Sequence, residues 1–277
     1  MEEYKSVFRT GIIILIILVL LAAGYYFLFY KKGKEPVSAE ALARKKAAEL
    51  APEEKISPEK EISELPPVEL DKSDDLVRQL AQGLSLQAQL SLWLKSDNLI
   101  RKFVAAVDNI ANGLSPRIQV DFFTPKGNFK VIRKGRRYYL DPSSSERYNQ
   151  VVDVFDSLNT EESIKLYRKL KPLIQEAYQD LGYPREDFDQ TLYRAIVELL
   201  NTPVVKGEIL LEKKVVTYMI VDQELENLSE AQKHLLRMGG ENIQIVQAKL
   251  LQFARGLGFP ESRLPQPRVY SPQTGRY

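Results

Sequence analysis

A chain of 277 residues with 44% hydrophobic and 27% charged residues is long enough for one sizeable core with appendages, and it is not disordered throughout. A net charge of +2 excludes a globally basic nucleic-acid binder, and the absence of cysteine excludes disulfides, thiolate metal sites and a cysteine nucleophile. One histidine, His234, cannot by itself build a zinc site or most acid–base machinery, so neither a metal nor a cofactor is expected.

After a ten-residue N-terminal tail, the segment GIIILIILVLLAAGYYFLFY, Gly11 to Tyr30, carries no charge. At ~1.5 Å per residue it spans roughly 30 Å as a helix, the thickness of a bilayer's hydrocarbon core, and it reads as a transmembrane helix. Tyr25, Tyr26 and Tyr30 gather at its C-terminal end, where amphipathic rings favour the interface, and Lys31, Lys32 and Lys34 follow at headgroup level. The apolar run is longer than the core of a cleaved signal peptide and continues past the small residues Ala22 and Gly24. Lys5 and Arg9 precede the helix while Lys31, Lys32, Lys34, Arg44, Lys45 and Lys46 follow it, so the positive-inside count taken alone favours a cytoplasmic C-terminal domain.

Residues 31 to 72 form a linker, with Pro36, Pro52, Pro58, Pro66 and Pro67 set among dense charge and no aromatic residue. Ser38 to Leu50, rich in alanine, is expected to form a short solvated helix, and the rest is expected to be extended or disordered. A flexible coil of ~40 residues reaches roughly 35 Å root-mean-square, so the folded part is tethered rather than pressed against the bilayer.

The globular domain is expected over 73–258. Ser73 or Asp74 offers an N-cap, and Asp97 another, opening a helix with Leu99, Ile100, Phe103, Val104, Val107, Ile110 and Ala111 at helical spacing and Gly113 as its terminator. Trp93, the single tryptophan, is expected in the core. The runs Gln119–Phe123, Phe129–Arg133 and Arg137–Leu140 predict a small antiparallel meander, with turns at Pro125–Asn128 and Lys134–Gly135. Between Phe122 and Leu140 lie six cations, Lys126, Lys130, Arg133, Lys134, Arg136 and Arg137, five aromatic residues and no acid. Cations interleaved with rings on a sheet would suit an anionic polymer or headgroup surface. Alternation alone gives the plainer reading, in which the rings face the core and the cations solvate and protect an edge hairpin.

The remainder reads as mostly helical. Thr160 is the expected N-cap of a helix carrying Ile164, Tyr167, Leu170, Ile174, Ala177, Tyr178 and Leu181, kinked at Pro172 and ended by Gly182 and Pro184. A further helix lies in REDFDQTLYRAIVELLN, and its opening acids Glu186, Asp187 and Asp189 are better explained by capping and the helix dipole than by a metal. GEILLE and VVTYMIVD predict a second β pair between Gly207 and Asp222. Ser229 with Gln232 makes a capping box, and Ile243, Val246, Leu250 and Phe253 restart the helical period after Gly239–Gly240. Two adjacent glycines cost ~1 kcal/mol each relative to alanine inside a helix, so they mark a bend. A phosphate loop is excluded by context, since the lysine and Ser/Thr of that pattern are absent and no strand precedes. The fold class is therefore α+β, mainly α, with a disordered tail expected over 259–277.

The motifs DNLIRKFVAAVDNIANG, LYRKLKPLIQEAYQDLGYP and AQKHLLRMGGENIQIVQAKL, in this order after a membrane helix and a proline-containing linker, resemble the DUF3014 family of proteobacterial proteins over roughly Asp71 to Phe253. The resemblance implies a membrane-tethered envelope domain of unknown biochemical function, with no catalytic residues to carry over. It also implies proline where Gly240 stands. Polar residues inside the motifs, Asp108, Asn109, Arg237 and Asn242, form either a recognition patch or hydrogen bonds to buried backbone where helices meet the sheet.

Two functions remain from different classes. The favoured one is a single-pass inner-membrane protein with a periplasmic, non-catalytic interaction or scaffold domain, its partner an envelope protein or an anionic polymer. The periplasmic side follows from the resemblance and the tether, against the charge count. The other is an envelope glycan hydrolase using a carboxylate pair, although no two acids are singled out by spacing. A cytoplasmic orientation would make nucleic acid a partner for Lys126 to Arg137; a periplasmic one disfavours it. Oligomeric state is not encoded in any feature above.

Overall fold

Leu99–Ala111, Thr160–Asp180 and Phe188–Leu200 are the helices around which a computed structural model of the chain is organised. The structure describes residues 68–272 apart from 124 and 126. The expected membrane helix, nearly all of the linker and the last five residues lie outside the described residues; among the described residues no helix is long and apolar enough to cross a membrane.

In chain order the helices are α1 (Asp74–Ala81), α2 (Ala88–Trp93), α3 (Leu99–Ala111), α4 (Ser143–Glu146), α5 (Asn149–Ser157), α6 (Thr160–Asp180), α7 (Phe188–Leu200), α8 (Gln223–Glu226), α9 (Glu230–Leu236) and α10 (Gly240–Leu257). The strands are β1 (Val131–Lys134), β2 (Arg137–Leu140), β3 (Val204–Val205), β4 (Leu210–Lys213), β5 (Tyr218–Ile220) and β6 (Val269–Tyr270).

The first core layer follows from apolar spacing on α3, α6 and α7. Ile100, Val104 and Val107 meet Leu170, Leu173, Ile174, Ala177 and Tyr178, with Phe188 closing the cluster. Each large apolar side chain buried there contributes roughly 1.5–3 kcal/mol. Tyr178 is wholly buried, stacks on Tyr183 at 4.5 Å and shares a 2.7 Å hydroxyl bond with Thr191, which satisfies its polar end. Pro172 lies inside α6, which continues through it, and Asn159 rather than Thr160 is the N-cap, accepting the Glu162 N–H at 3.0 Å.

Glycines in the left-handed region close two of the helices. Gly113 (φ 72°) closes α3 with Leu114 N–H donating to the Asn109 carbonyl at 2.8 Å, and Gly258 (φ 85°) closes α10 with Phe259 N–H donating to the Ala254 carbonyl at 3.0 Å. At the start of α3 the expected cap Asp97 is replaced. Asn98 adopts the left-handed conformation (φ 58°), and the carboxylate of Asp74 accepts the N–H groups of Asn98 and Leu99 from across the fold.

The β structure differs from a three-stranded meander. Asp121–Phe123 forms a 3-10 turn, because the Pro116 carbonyl accepts N–H groups from Gln119 and Val120 and curls the chain, while Phe123 packs edge-on against Trp93 at 4.4 Å. Two hairpins instead join into one antiparallel sheet of order β1-β2-β4-β5, with Tyr138 opposite Leu211 and Leu211 opposite Ile220. With side chains alternating, Val131, Tyr138, Leu140, Leu211, Tyr218 and Ile220 share the face over a second core of Val204, Leu225, Leu235, Leu236 and Ile243.

The expected tail beyond Gly258 is structured as far as β6. Phe259 and Leu264 are buried against α7 and α10, and β6 pairs in parallel with β3, Val204 opposite Val269 and Val205 opposite Tyr270. Tyr270 donates its hydroxyl to both oxygens of Asp222, at 3.0 and 2.8 Å. Apolar residues at 259 and 264, which would otherwise face water, are the physical reason the chain continues to fold there.

The bend at Gly239–Gly240 is present as expected. Gly239 has φ 84° and ψ 159°, a region that side chains block, and a Cβ on Gly240 would stand 2.5 Å from the Val205 carbonyl oxygen. The glycines therefore let α9 turn into α10 while the backbone passes directly over β3.

Candidate anionic-ligand surface at one end of the sheet

The β1–β2 turn places Gly135 (φ 63°) at its first central position, as a two-residue type II′ hairpin requires. Its neighbours are then fixed in space by the ladder: Lys134 opposite Arg137, Arg133 opposite Tyr138. Since β2 and β4 are antiparallel, the end of the sheet where β2 begins is also the end where β4 finishes. The β1–β2 and β4–β5 turns thus leave the sheet at the same end. That juxtaposition gathers Arg133, Lys134, Arg136 and Arg137 with Lys213 and Lys214, which lie about 75 positions further along the chain.

Two acids temper this charge. Lys134 forms an ion pair with Glu208 and also sits 5.3 Å above the Tyr139 ring, and Lys214 pairs with Glu212 at 2.7 Å. Arg133 donates Nε–H to the Gly135 carbonyl at 2.9 Å, which ties its side chain to the turn. Arg136, Arg137 and Lys213 are exposed and have no ion pair among the described residues. Together with Tyr138, Leu210 and Glu212 they line an open depression of about 440 Å³.

The other expected cations are placed differently. Lys126 lies outside the described residues. Lys130 precedes β1 and so stands at the opposite end of the sheet, where its backbone N–H and carbonyl both bond to the Ser144 hydroxyl, at 2.7 and 3.0 Å. Nearby, the Ser143 backbone N–H and hydroxyl lower the pKa of Asp141 below the usual carboxylate range, with a smaller contribution from Lys130. Four of the six cations read from the sequence therefore converge, and Lys213 and Lys214 join them. Sequence reasoning missed that pair because only strand order brings it across.

The rings of this segment are mostly used by the fold. Tyr138 faces the second core and meets Tyr218 at 5.7 Å, Tyr139 is buried on the opposite face, and Phe123 packs on Trp93. Phe129 is 45% exposed. A row of rings for base stacking is not what the sheet presents; its chemistry at this end is cationic.

The motif polar residues fall into two groups at helix ends. Asp108 accepts the Asn112 amide at 3.1 Å, and Asn109 uses its carbonyl to close α3. Asn242 donates to the Met238 carbonyl and to Asn149, both at 2.9 Å, and so fastens the α9–α10 bend to α5, while Arg237 is exposed at the end of α9. They do not share a patch with the cationic end. The acids at the start of α7 are engaged locally: Asp187 accepts the Asp189 N–H at 3.0 Å and pairs with Lys171 at 2.8 Å, and Asp189 takes the Tyr167 hydroxyl and Lys171. Burial opposes ionisation of Asp187, but Lys171 and the Asp189 N–H overcome it and hold its carboxyl below the usual range. Burial, then Asp189, raises the Tyr167 phenol above its ordinary value. Among the described residues no group of three or more His, Asp or Glu is placed to hold a metal ion.

A family model described as a protein of unknown function, DUF3014, matches residues 99–254, from the first residue of α3 to near the end of α10, a span that contains the whole four-stranded sheet. No curated protein and no solved structure matches the chain.

Proposed function

Because this chain belongs to the DUF3014 family, described only as proteins of unknown function, we propose its role from its own geometry: a single-pass, membrane-anchored envelope protein whose folded domain is a non-catalytic interaction or scaffold module. The observation that carries the reading is the convergence of two hairpin turns and their six cations at one end of the sheet. Point charges on a rigid β scaffold, with exposed guanidinium groups at Arg136 and Arg137, recognise phosphate or carboxylate groups on an extended anionic surface. The uncharged segment Gly11–Tyr30 supports the anchor, and the charged linker supports a domain held on a long tether. The proposed compartment is the periplasmic side of a bacterial inner membrane.

Fusing alkaline phosphatase and, separately, green fluorescent protein after Tyr277 tests the compartment. Phosphatase activity without fluorescence is expected; the reverse would move the domain to the cytoplasm and bring nucleic acid forward as the anionic partner. Elution of the detergent-solubilised full chain from a sulfated polyanion column tests the surface. The variant Arg136→Ser/Arg137→Ser/Lys213→Ser is expected to elute at clearly lower salt than the parent, since exposed charges act through screened electrostatics. Coincident elution of the two would remove the cationic end as the interaction site.

A further inference from the structure

The β4–β5 connection runs against local preference. The segment VVTYMIVD reads as strand from its first valine, yet β5 begins only at Tyr218, and Val215 and Val216 are 99% and 94% exposed. Valine is favoured on pleated, half-buried surfaces, whereas hairpin tips are usually built from glycine, asparagine or aspartate. Lys214 N–H donates to the Thr217 carbonyl at 2.8 Å, which makes the two valines the central residues of the turn. A single exposed apolar side chain needs no explanation. Two adjacent ones, placed at the outermost point of a hairpin, conflict with the consistency expected across levels of structure, and such conflicts concentrate at functional positions.

Their surroundings say what kind of surface would accept them. The tip rises from the end of the sheet that carries Arg133, Lys134, Arg136, Arg137, Lys213 and Lys214 against the two acids Glu208 and Glu212. A soluble polyanion would satisfy the cations and leave both valines in water. An anionic bilayer satisfies both, because its charged headgroups lie immediately outside an apolar interior.

We propose that this end of the domain docks on an anionic phospholipid surface, with Val215 and Val216 entering the boundary between headgroups and acyl chains while the surrounding cations hold the headgroups. The inference rests on the reading of the chain as a membrane-tethered interaction module, and it names the partner. A flexible coil of the linker's ~40 residues would keep the domain within roughly 35 Å root-mean-square of the membrane, so that a weak two-part contact would operate at high local concentration. Tethering and docking together would hold the domain in a defined orientation on the bilayer.

The chain contains no cysteine, so Thr217→Cys in the full chain gives one attachment point for an environment-sensitive nitrobenzoxadiazole dye beside both valines. The labelled protein is reconstituted into vesicles of phosphatidylcholine alone or with phosphatidylglycerol, and Gln179→Cys on the exposed side of α6 serves as a reference position. A blue shift and quenching by lipid-borne nitroxide are expected at position 217 in the anionic vesicles and not at 179. Both signals should be lost at about 1 M salt, where the Debye length is ~3 Å, in Arg136→Ser/Arg137→Ser/Lys213→Ser, and in Val215→Ser/Val216→Ser. The valine variant retains the fold, since neither side chain is buried.

Water-like emission from protein that floats with anionic vesicles would overturn bilayer docking and leave the tethered module standing. A shift produced by dissolved heparin but not by vesicles would assign the same end to a soluble polyanion and also overturn it. A shift that survives removal of both valines would overturn the insertion. A chain that floats with neither vesicle type would overturn the tether and this inference together.

Discussion

Asp74 caps a helix to which it does not belong: its Oδ1 accepts the Leu99 N–H at 2.9 Å and its Oδ2 accepts the Asn98 N–H at 2.7 Å. The first turn of α3 exposes unsatisfied donors and a partial positive charge, and a carboxylate borrowed from the start of α1 answers both. Asp74→Ala is expected to lower stability by about 1–2 kcal/mol, with Asp74→Asn losing less because it keeps an acceptor. Urea unfolding midpoints for the two variants would check the ranking; equal midpoints for alanine and the parent would remove the cap from the account.

The glycines at the bend are predicted to be intolerant in a graded way. Gly240→Ala would bring a Cβ to 2.5 Å from a backbone oxygen, Val205, and Gly239→Ala would combine a positive φ with a 2.8 Å approach to the Ser145 Cβ. Each should cost ~2 kcal/mol or more through strain and overpacking. Proline, which the family resemblance implies at 240, suits the first position of a helix but carries the same Cβ toward Val205, so Gly240→Pro is expected to destabilise as well. Gly256→Ala should cost less than any of these, because its close neighbour is the terminal methyl of Ile164, which can rotate away. Thermal melts of the series would reveal the order.

Helices were legible in the sequence because their signals are local. Apolar spacing on Leu99–Ala111, the Ser229–Gln232 capping box and the glycine pair each lie within a few residues of the feature that they specify. Sheet order was not, because β2 pairs with β4 across about 70 positions and nothing in either strand names its partner. The same distance hid the candidate site: Arg136 and Arg137 could be read as a basic run, but their juxtaposition with Lys213 exists only once the hairpins align. The parallel pairing of β3 with β6 is equally silent, since each strand is two residues long.

Gln247 was also missed, although its spacing four residues after Ile243 places it on the buried stripe of α10. Its Nε2 donates to the Leu199, Leu200 and Thr202 carbonyls at 3.2, 3.1 and 2.8 Å, satisfying the C-terminal end of α7, and the residue is wholly buried. Gln247→Leu should cost ~2–3 kcal/mol by taking the donor from the Leu200 and Thr202 carbonyls, while Leu199 keeps the Thr202 N–H at 3.1 Å. At neutral pH Gln247→Glu should cost more, since an ionised carboxylate sets acceptors alone against those carbonyls and neutralising it supplies a single O–H donor. Denaturant titration would separate the two, and a glutamate variant as stable as the parent would contradict the burial.

His234 predicts a pH dependence confined to one window. Burial lowers its pKa below the ordinary ~6.5, and Arg237 and Arg117 reinforce the shift, with Ser115 the hydroxyl partner of Nδ1 at 3.3 Å. The folded state therefore holds the ring neutral where the unfolded chain binds a proton, so stability is fully present above the unfolded pKa and falls as pH drops through it. As the single histidine of the chain, it is the side chain whose ordinary pKa lies in that range. Melting temperatures at pH 7.5 and 5.5 should differ in the parent and differ less in His234→Gln.

The pairing of β2 with β4 makes the cationic end a property of the native state alone. Four helices, α4 to α7, must be laid down between the two hairpins before their turns can align, and contacts of such long separation form late in folding. A partner that needs both hairpins has no affinity for an unfolded or half-folded chain. Binding is then thermodynamically linked to folding: a partner present at ~100 times its dissociation constant adds ~2.7 kcal/mol to the free energy of unfolding. A chain that is still maturing stays silent toward its surface, and one that has engaged it resists opening.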